Sequence, residues 1–372
     1  MDVQTREVQT RADRERFIRL PWKIYRGNSN WVPPLIIERR AFLNPKENPF
    51  FDHAEVALFL ASRTAGNDVG RIAAIINHNH VKTHNENAGF FGLFESINDH
   101  EVAGALFAAA AGFLRSRGMK IMRGPENMSV NDDVGLLIKG FDLPPTIMMP
   151  YNPAYYEALV EDYGFSKAMD LYAYFGVTNG TIPERLERAV EIGRKRYRFA
   201  IRKIDMANFS GEVKRIRQIY NQAWEQNWGA VAMTDREFDH LAKDLKQVIV
   251  PELCLIAEVD GKPAGFSLAL PDINQALIHL NGRLFPLGLF KLLYFKRRIT
   301  RVRIITMGVL PEYRRMGIDM AFIHETYRQC IKKHWSSGEM SWILETNGTM
   351  NNALIRLGYE LQKTYRLYVY QL

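Results

Sequence analysis

The chain has 372 residues, of which 47% are hydrophobic and 24% are charged, and this length and composition exclude a disordered chain and favour two domains. Its two cysteines, Cys254 and Cys330, are too few for a disulfide framework, and no apolar run is long enough for a membrane-spanning helix or placed as a secretory signal. The net charge of +8 favours polyanionic partners in general, without separating nucleic acid, anionic lipid and a phosphorylated cofactor.

The first half of the chain alternates helical and extended patterns. Hydrophobic periodicity and turn residues predict a helix over 11–26, a hairpin over 56–76, a strand over 89–95, a helix over 101–117, a strand near 119–123, a helix near 153–163 and a strand over 169–177. A further helix over 182–194 is the predicted linker.

The second half repeats this order of elements. We predict a strand over 197–205, helices over 212–224 and 235–248, a hairpin over 253–270, a strand over 303–309, a helix over 318–335, a strand over 341–345, a helix over 350–357 and a strand over 365–370. Residues 276–280 have strand character. The repeat predicts an α/β protein with two tandem domains, each a mixed sheet flanked by helices, over 1–178 and 197–372, with a linker over 179–196.

The segment 304–320 carries the strongest functional signal. A β-branched strand leads through a basic turn with one glycine into an apolar helix. The first N–H groups of a helix lack partners within the helix, and the helix dipole favours an anion there. Arg314 and Arg315 add positive charge beside Gly317, so the turn is a candidate diphosphate site.

The second half resembles the GNAT superfamily of acyl-CoA N-acyltransferases. The likeness rests on V-x-P-x-Y-R-x-x-G-I at 309–318, on the helix after it, and on the later strand 341–347, helix 351–359 and closing strand. The whole chain is similar to bacterial tandem GNAT proteins whose first copy has lost its phosphate loop. After Glu95 it reads SINDHEVAGALF, without R-x-x-G-x-G.

The resemblance implies transfer of an acyl group from acyl-CoA to an amine, without a metal. The pyrophosphate would lie on backbone amides of 314–319, and the thioester carbonyl would accept a hydrogen bond from a main-chain N–H near Val309, which stabilises the tetrahedral intermediate. The residues implied to bind acyl-CoA are Val309, Leu310, Arg314, Arg315, Met316, Gly317, Ile318, Asn347 and Asn351.

Two positions depart from the family pattern. Asp319 stands where the loop usually has Gly or Ala. A carboxylate about 4 Å from a phosphate repels it by roughly 4 kcal/mol at an effective dielectric of 20; alternatively, Asp319 flanks its own helix N-terminus, where an acid is favourable. Leu354 stands where a tyrosine general acid is common. Tyr359 and Tyr365 are the nearest alternatives in sequence, and Tyr359 is the predicted acid.

Glu345 is the predicted general base, because it ends a strand that points at the predicted site. The alternative is a solvated carboxylate at a strand end. Asn347 and Asn351 bind substrate or the pantetheine arm, or else cap a turn and a helix N-terminus. Glu312 has the pattern of an exposed turn acid.

An insertion over 282–301 places nine apolar or aromatic side chains, all within 284–295, beside the cations Lys291, Lys296, Arg297 and Arg298. It is too short to span a bilayer and suits a segment in the membrane interface, with its cations on anionic headgroups. The alternative is a core helix with a basic end. An apolar, cationic segment near an acyl-CoA site favours a lipid as the acceptor.

Three further patterns favour an ordinary structural role. His78, His80 and His84 lack the acids or cysteines of a metal site, and the basic run 194–203 suits a solvated helix face better than a nucleic-acid site. The turn-rich loop 124–152 lines a cleft or closes the first domain.

These signals predict a cytoplasmic acyl-CoA N-acyltransferase, peripherally bound to an anionic inner membrane face, with no nucleic-acid partner. The family includes bacterial ceramide synthases, so the resemblance implies a long-chain acyl donor and a sphingoid-type amine. The alternatives are a non-catalytic binding or regulatory protein, which Asp319 and Leu354 favour, and a transferase acting on a small soluble amine.

Overall fold

The structure of the protein, a computed structural model, describes residues 2–64, 66–224 and 227–372. Its strands, in chain order, are β1 Gln4–Glu7, β2 Ala54–Thr64, β3 Asn67–Asn77, β4 Ala88–Ser96, β5 Ile121–Gly124, β6 Leu136–Lys139, β7 Ser166–Val177, β8 Phe199–Lys203, β9 Cys254–Val259, β10 Lys262–Pro271, β11 Arg301–Val309, β12 Ser337–Leu344 and β13 Glu360–Gln371.

The α-helices, numbered in the same way, are α1 Arg11–Arg19, α2 Pro21–Ile24, α3 Ile36–Phe42, α4 His78–His84, α5 His100–Ser116, α6 Tyr156–Asp162, α7 Glu184–Arg196, α8 Phe209–Trp224, α9 Asp235–Leu245, α10 Asn274–Leu277, α11 Gly288–Lys296, α12 Ile318–Lys332 and α13 Gly348–Arg356. The predicted α/β fold class is confirmed. Among the described residues, no helix has the length and apolar character that crossing a bilayer requires.

The chain forms two compact units. Unit 1 contains residues 1–171, 276–295 and 363–372, and unit 2 contains residues 172–275 and 296–362. The long strands β7 and β13 each begin in one unit and end in the other. The units therefore follow contacts rather than chain order, and their bounds differ from the predicted domain bounds.

In unit 1 the strands follow the order β1-β2-β3-β4-β5-β13, and β6 also pairs with β13. β4 and β5 are parallel, and the pairs β1-β2, β2-β3, β3-β4 and β5-β13 are antiparallel. Alternate side chains of β3 enter different cores, as the period of two along a strand requires. Ile72 and Ile76 pack with α5, whereas Ala73 and Ile75 pack with Phe17 of α1.

In unit 2 the strands follow the order β12-β11-β10-β9-β8, and β11 and β12 are parallel. Helices α7 and α12 share one core with these strands, through Leu186, Val190 and Tyr327 among others. On β10 and β11, the ring of Trp224 from α8 packs against Phe266, with centroids 5.7 Å apart. The parallel pair β11 and β12 thus sits between covering helices, with the basic turn at the end of β11.

Four local expectations differ from the structure. Pro21 divides the predicted first helix into α1 and α2. The segment with predicted strand character instead begins inside the short helix α10. The predicted linker helix is α7, which is part of the unit 2 core because Leu186 and Val190 are buried there. Residues 276–295, which include the first part of the 282–301 insertion, group with unit 1, although they lie within the predicted second domain.

Candidate active site

The basic turn connects β11 to α12 through a short 3-10 turn at Pro311–Tyr313. The N–H of Leu310 donates to the carbonyl of Ala264 (2.9 Å), which fixes where the turn leaves the sheet. Arg315 and Gly317 have φ values of +70° and +80°, so the chain reverses through two left-handed positions. Gly317 is the N-cap of α12 and makes no side-chain cap hydrogen bond, so the N-cap residue itself does not cover the first N–H groups of the helix.

Helix α7 supports this turn from behind. A Cβ atom on Gly193 would lie 2.9 Å from the carbonyl oxygen of Met316, closer than real Cβ contacts. Glycine at this position is therefore what allows α7 to approach the turn. The predicted linker helix thus contributes to the geometry of the candidate anion site.

The two arginines of the turn differ in their surroundings. Arg314 donates to the carbonyl of Val309 (3.3 Å) and to that of Ala223 (3.0 Å) near the C-terminus of α8. A cation is favourable at a helix C-terminus, so Arg314 ties α8 to the end of β11. Arg315 is exposed, and its left-handed backbone costs a non-glycine residue roughly 1–2 kcal/mol. Both arginines are exposed, but the guanidinium of Arg314 is tied to backbone carbonyls of Val309 and Ala223.

Asp319 lies half-buried in the first turn of α12. Burial raises the pKa of its carboxyl above the ordinary 3.8, whereas hydrogen bonds from the N–H groups of Met320 and Asp319 itself lower it. The side chain therefore lies on its own helix N-terminus, which is the second of the two alternatives above. It also occupies N–H groups that a bound diphosphate would use.

Replacing Asp319 with asparagine is expected to tighten acyl-CoA binding by about ten-fold. This is less than the repulsion of two unit charges implies, because solvent screens a half-exposed group. Since burial raises the pKa of Asp319, protonation near that raised value removes the charge, and wild-type affinity should increase as pH falls. Asp319→Asn should lose this part of the pH dependence in calorimetric titrations.

Glu312→Gln is the matched control. Glu312 is exposed in the preceding turn, and its replacement removes one negative charge, as Asp319→Asn does. An equal gain in affinity from both variants would assign the effect to overall charge rather than to the helix N-terminus.

Strands β11 and β12 separate just before the turn. Their parallel ladder runs from Arg301 and Ser337 to Ile304 and Met340. On its other side, the register of β11 with β10 shifts between Thr306 and Ile304, so Ile305 is an extra, bulged residue. The diverging strand ends leave a wedge whose mouth faces the basic turn. An extended thioester arm could pair with strand backbone in such a wedge.

A buried polar network holds the base of the wedge. Arg303 donates through Nε to the hydroxyl of Ser341 (2.9 Å) and through its terminal nitrogen to the carbonyl of Ser341 (2.9 Å). Ser341 in turn donates to Glu339 (2.6 Å), and all three residues are buried. The carbonyl of Ser341, the first β12 residue past the ladder, is thus hydrogen-bonded by a side chain instead of by β11.

The predicted residues at the end of β12 lie together. Glu345 follows the strand and is half-buried. Asn351 donates to the carbonyls of Leu344 (3.1 Å) and Glu345 (3.3 Å), while its own Oδ1 is buried without a hydrogen-bond partner. Asn347 caps α13 by accepting from the N–H of Met350 (3.2 Å). Asn351 therefore fixes the backbone of Glu345 and retains a free acceptor, whereas the side-chain oxygen of Asn347 is used by its cap.

Tyr359 is buried in the core that unit 2 forms around α12. Its ring packs against Gly176 and lines a cavity of about 240 Å³ with Tyr327 near the end of α12. Tyr327 is nine residues along α12 from Ile318, about 13 Å at 1.5 Å per residue, away from the basic turn. Burial raises the pKa of Tyr359 well above 10, so its hydroxyl stays neutral. Leu354 is buried in the same core.

Unit 1 contains the counterpart of this wedge, filled by its own chain. The parallel ladder of β4 and β5 ends at Phe90 and Arg123. Beyond it, Glu126 donates its N–H to Phe91 (2.8 Å), and the N–H of Leu93 donates to Oδ1 of Asn127 (2.7 Å). The loop predicted to line a cleft or close the domain therefore closes unit 1.

Two acids of this loop are shifted by their surroundings. Burial raises the pKa of Glu126 to about 8, although Arg123 lowers it, and burial raises the pKa of Asp132 to about 7. The Asp132 carboxylate accepts from the N–H and hydroxyl of Ser129 (3.2 and 2.9 Å).

The histidine pattern has a structural role. His78 and His84 bound the helix α4, and the rings of His80 and His84 lie 4.4 Å apart. Burial, with His84 nearby, lowers the pKa of His80 to about 4, so this side chain is a neutral core residue. Over the described ranges, no group of three or more His, Cys, Asp or Glu residues is placed to hold a metal ion.

Sequence reasoning missed the roles of Arg303, Glu339 and Gly193. A signal for the first two was present, because charged residues at alternate positions inside otherwise apolar strands must find partners when buried. Nothing local indicated Gly193, whose importance depends on a turn more than a hundred residues later.

No family model matches the chain. It is similar over 99% of its length to two curated proteins: a bacterial ceramide synthase of Caulobacter vibrioides, 39% identical over 97% of that protein, and protein YghO of Escherichia coli, 38% identical over 95%. Its fold is similar to a tandem GNAT protein from the clavulanic acid biosynthesis pathway (TM-score 0.59, 11% identity, 100% and 98% of the two chains). A GCN5-related N-acetyltransferase from Sphaerobacter thermophilus also matches (TM-score 0.55, 12% identity, 99% and 95%).

Proposed function

The chain belongs to the tandem GNAT family of acyl-CoA N-acyltransferases that includes the Caulobacter ceramide synthase, and on that premise we propose that it acylates the amine of a sphingoid-type lipid with a long-chain acyl group. The observation that carries the proposal is the 39% identity to that ceramide synthase over nearly the whole of both chains. Local geometry supports the acyl-CoA half of the reaction, and the relative supports the lipid half.

Three features of unit 2 fit acyl-CoA. The N-terminus of α12 at Gly317 has N–H donors that suit a pyrophosphate, although Asp319 competes for some of them, and Arg315 is exposed beside it. The wedge between β11 and β12 suits the extended pantetheine arm. The partnerless Oδ1 of Asn351 is a buried acceptor that could take a pantetheine amide N–H. On the same ground we retain Val309, Leu310, Met316 and Ile318 as backbone contacts, and Asn347 as a supporting cap.

The proposed reaction forms a C–N bond and breaks the C–S bond of the thioester. The acceptor nitrogen attacks the carbonyl carbon, and the oxygen charge that develops is stabilised by a main-chain N–H near Val309. Glu345, held through its backbone by Asn351, takes the proton that the amine loses, and the sulfur leaves as the thiol of CoA after gaining a proton. Tyr359 is not assigned this last step, because it packs beside the far end of α12.

The decisive experiment measures free thiol from purified protein given long-chain acyl-CoA and a panel of amines. We expect release with a sphingoid base and none above background with small soluble amines. Glu345→Gln should lower kcat by roughly a hundred-fold or more, with acyl-CoA affinity retained, as loss of a general base predicts. Release with soluble amines alone would reject the lipid acceptor. Acyl-CoA binding without thiol release from any amine would instead favour a binding or regulatory protein.

The proposed substrates also indicate where the protein acts. A lipid acceptor and a long acyl chain partition into membranes, so we place the protein peripherally on the inner, cytoplasmic face of an anionic membrane. Its partners there are acyl-CoA and the lipid amine, and the proposal requires neither nucleic acid nor a metal.

A further inference from the structure

Residues 283–295 of unit 1 form an apolar surface exposed to solvent. The side chains of Phe285, Leu287, Phe290, Leu293 and Tyr294 are each between 53% and 70% exposed. Monomeric proteins rarely leave several large apolar side chains exposed together unless a partner or a membrane covers them. We call these five residues the apolar tip.

The segment that carries the apolar tip is anchored at its start by contacts with Trp22 and Ile36. Trp22 donates from its indole nitrogen to Oδ1 of Asn281 (2.9 Å), and the N–H of Ile36 donates to the carbonyl of Gly282 (3.0 Å). A Cβ atom on Gly282 would lie 2.3 Å from the Trp22 ring, so the chain passes flat against it. Trp22 in turn packs edge-on against Trp31, with centroids 5.3 Å apart. The exposed side chains therefore project from an anchored segment.

The segment is also tightly turned within itself. The N–H of Leu289 donates to the carbonyl of Leu284 (2.7 Å), and a Cβ atom on buried Gly288 would lie 1.9 Å from the carbonyl oxygen of Arg283. At the other end, Phe295 stacks on His279, with ring centroids 3.7 Å apart. Gly288 is buried and Leu284 and Phe295 are half-buried, so these residues hold the segment while the large apolar residues between them face outward.

Cations flank the apolar tip. Arg283 precedes it, Lys291 lies within it and Lys296 ends α11; all three are exposed. No Asp or Glu occurs anywhere in 283–303. Lys and Arg keep their charged ends at the headgroup level while their alkyl chains lie along apolar neighbours. A segment that combines exposed Phe, Leu and Tyr with cations and contains no acid complements an anionic bilayer.

We infer that the apolar tip inserts into the interface of an anionic membrane, with Arg283, Lys291 and Lys296 on the headgroups. The nine residues of α11 are too few to span a bilayer, so insertion is peripheral. The surface also presents unit 1 to the compartment in which a lipid acceptor resides. In that respect the inference rests on the proposed function, whereas membrane binding itself does not.

The first test is sedimentation with vesicles, without substrates. Wild-type protein should bind vesicles containing about one third anionic lipid at least ten-fold more tightly than neutral vesicles. Phe290→Asp and Leu293→Asp should each reduce binding ten-fold or more, and Lys291→Gln with Lys296→Gln should remove most of the anionic preference. Ile192→Asp is the matched control, because Ile192 of α7 is equally exposed but lies outside the segment.

The second test separates the docking surface from the catalytic proposal. Phe290→Asp should release thiol at the wild-type rate with an amine dispersed in detergent and lose most activity with the same amine embedded in vesicles. Vesicle binding without thiol release would reject the enzyme reaction and leave the surface standing. Absence of wild-type vesicle binding would overturn the inference, as would self-association through the apolar tip in analytical ultracentrifugation.

Discussion

Gly317→Glu is expected to abolish acyl-CoA binding, with affinity falling by at least about a hundred-fold. Gly317 sits at φ +80° as the N-cap of α12, a conformation that costs a non-glycine residue roughly 1–2 kcal/mol. The new carboxylate would also stand at the N–H groups proposed to hold the pyrophosphate, and repulsion between unit charges about 4 Å apart is several kcal/mol at an effective dielectric of 20. Calorimetry with CoA and with 3′,5′-ADP measures the loss.

The fold should survive this change. The nearest atom to a Cβ on Gly317 is the Cα of Gly193 at 3.7 Å, an ordinary contact. Gly261→Glu is the matched control, because Gly261 also has positive φ (+76°), lies in the turn between β9 and β10, and has nothing within 4 Å of its added Cβ. If Gly317→Glu bound CoA as tightly as Gly261→Glu, the phosphates would have to lie elsewhere.

Arg303→Met is expected to cost about 3 kcal/mol or more in the free energy of unfolding. Arg303 is buried and supplies two hydrogen bonds to Ser341, whose hydroxyl bonds to buried Glu339. Removing the cation leaves a buried carboxylate with less compensation, which typically costs about 3–5 kcal/mol. The double variant Arg303→Met with Glu339→Gln removes both charges and should recover part of that loss. Denaturant unfolding of wild type and both variants measures whether the double variant is more stable than Arg303→Met alone.

The same pair of variants tests whether Arg303 positions the wedge. In the double variant the carbonyl of Ser341 lacks its side-chain donor, so β12 can move toward β11 and narrow the space for pantetheine. We expect affinity for CoA to fall by ten-fold or more, while affinity for 3′,5′-ADP, which lacks the pantetheine arm, stays unchanged. Wild-type CoA affinity in a folded double variant would reduce Arg303 to a purely structural residue.

Both units have a pair of parallel strands whose ladder ends early, and the wedge beyond it is filled by a loop in unit 1. In unit 2, the ladder between β11 and β12 ends at Ile304 and Met340, and among the described residues no backbone hydrogen bond joins a loop to β11 past that point in the way that Glu126 joins β4. In unit 1, Glu126 and Asn127 bond to the backbone of β4 past the end of its ladder. A Cβ on Gly92 would lie 1.9 Å from the carbonyl of Glu126, so only glycine admits this loop. Unit 1 therefore lacks both the R-x-x-G-x-G motif after Glu95 and the open space between its parallel strands that unit 2 has.

Local patterns were sufficient for the elements and for the basic turn. The strand, Pro311, Gly317 and the helix after it are neighbours in sequence, and each acts through its own backbone preferences. For the same reason the α/β class and the order of helices and strands in both halves were predictable, with bounds a few residues off. The two alternatives for Asp319 were also visible, because a helix N-terminus is a local environment.

What the tertiary structure decided depends on contacts between residues far apart in sequence. Arg303 and Ser341 are 38 positions apart, and Trp22 and Asn281, which anchor the insertion in unit 1, are 259 apart. It placed Tyr359 in a core with Gly176 and Tyr327, whereas Glu345 follows the end of β12 and is half-buried. Sequence by itself thus determined the class of fold, the family and the position of the basic turn that is the candidate anion site, since these follow from neighbouring residues. Only burial and packing, which bring distant residues together, decided which side chains share a site and which face solvent.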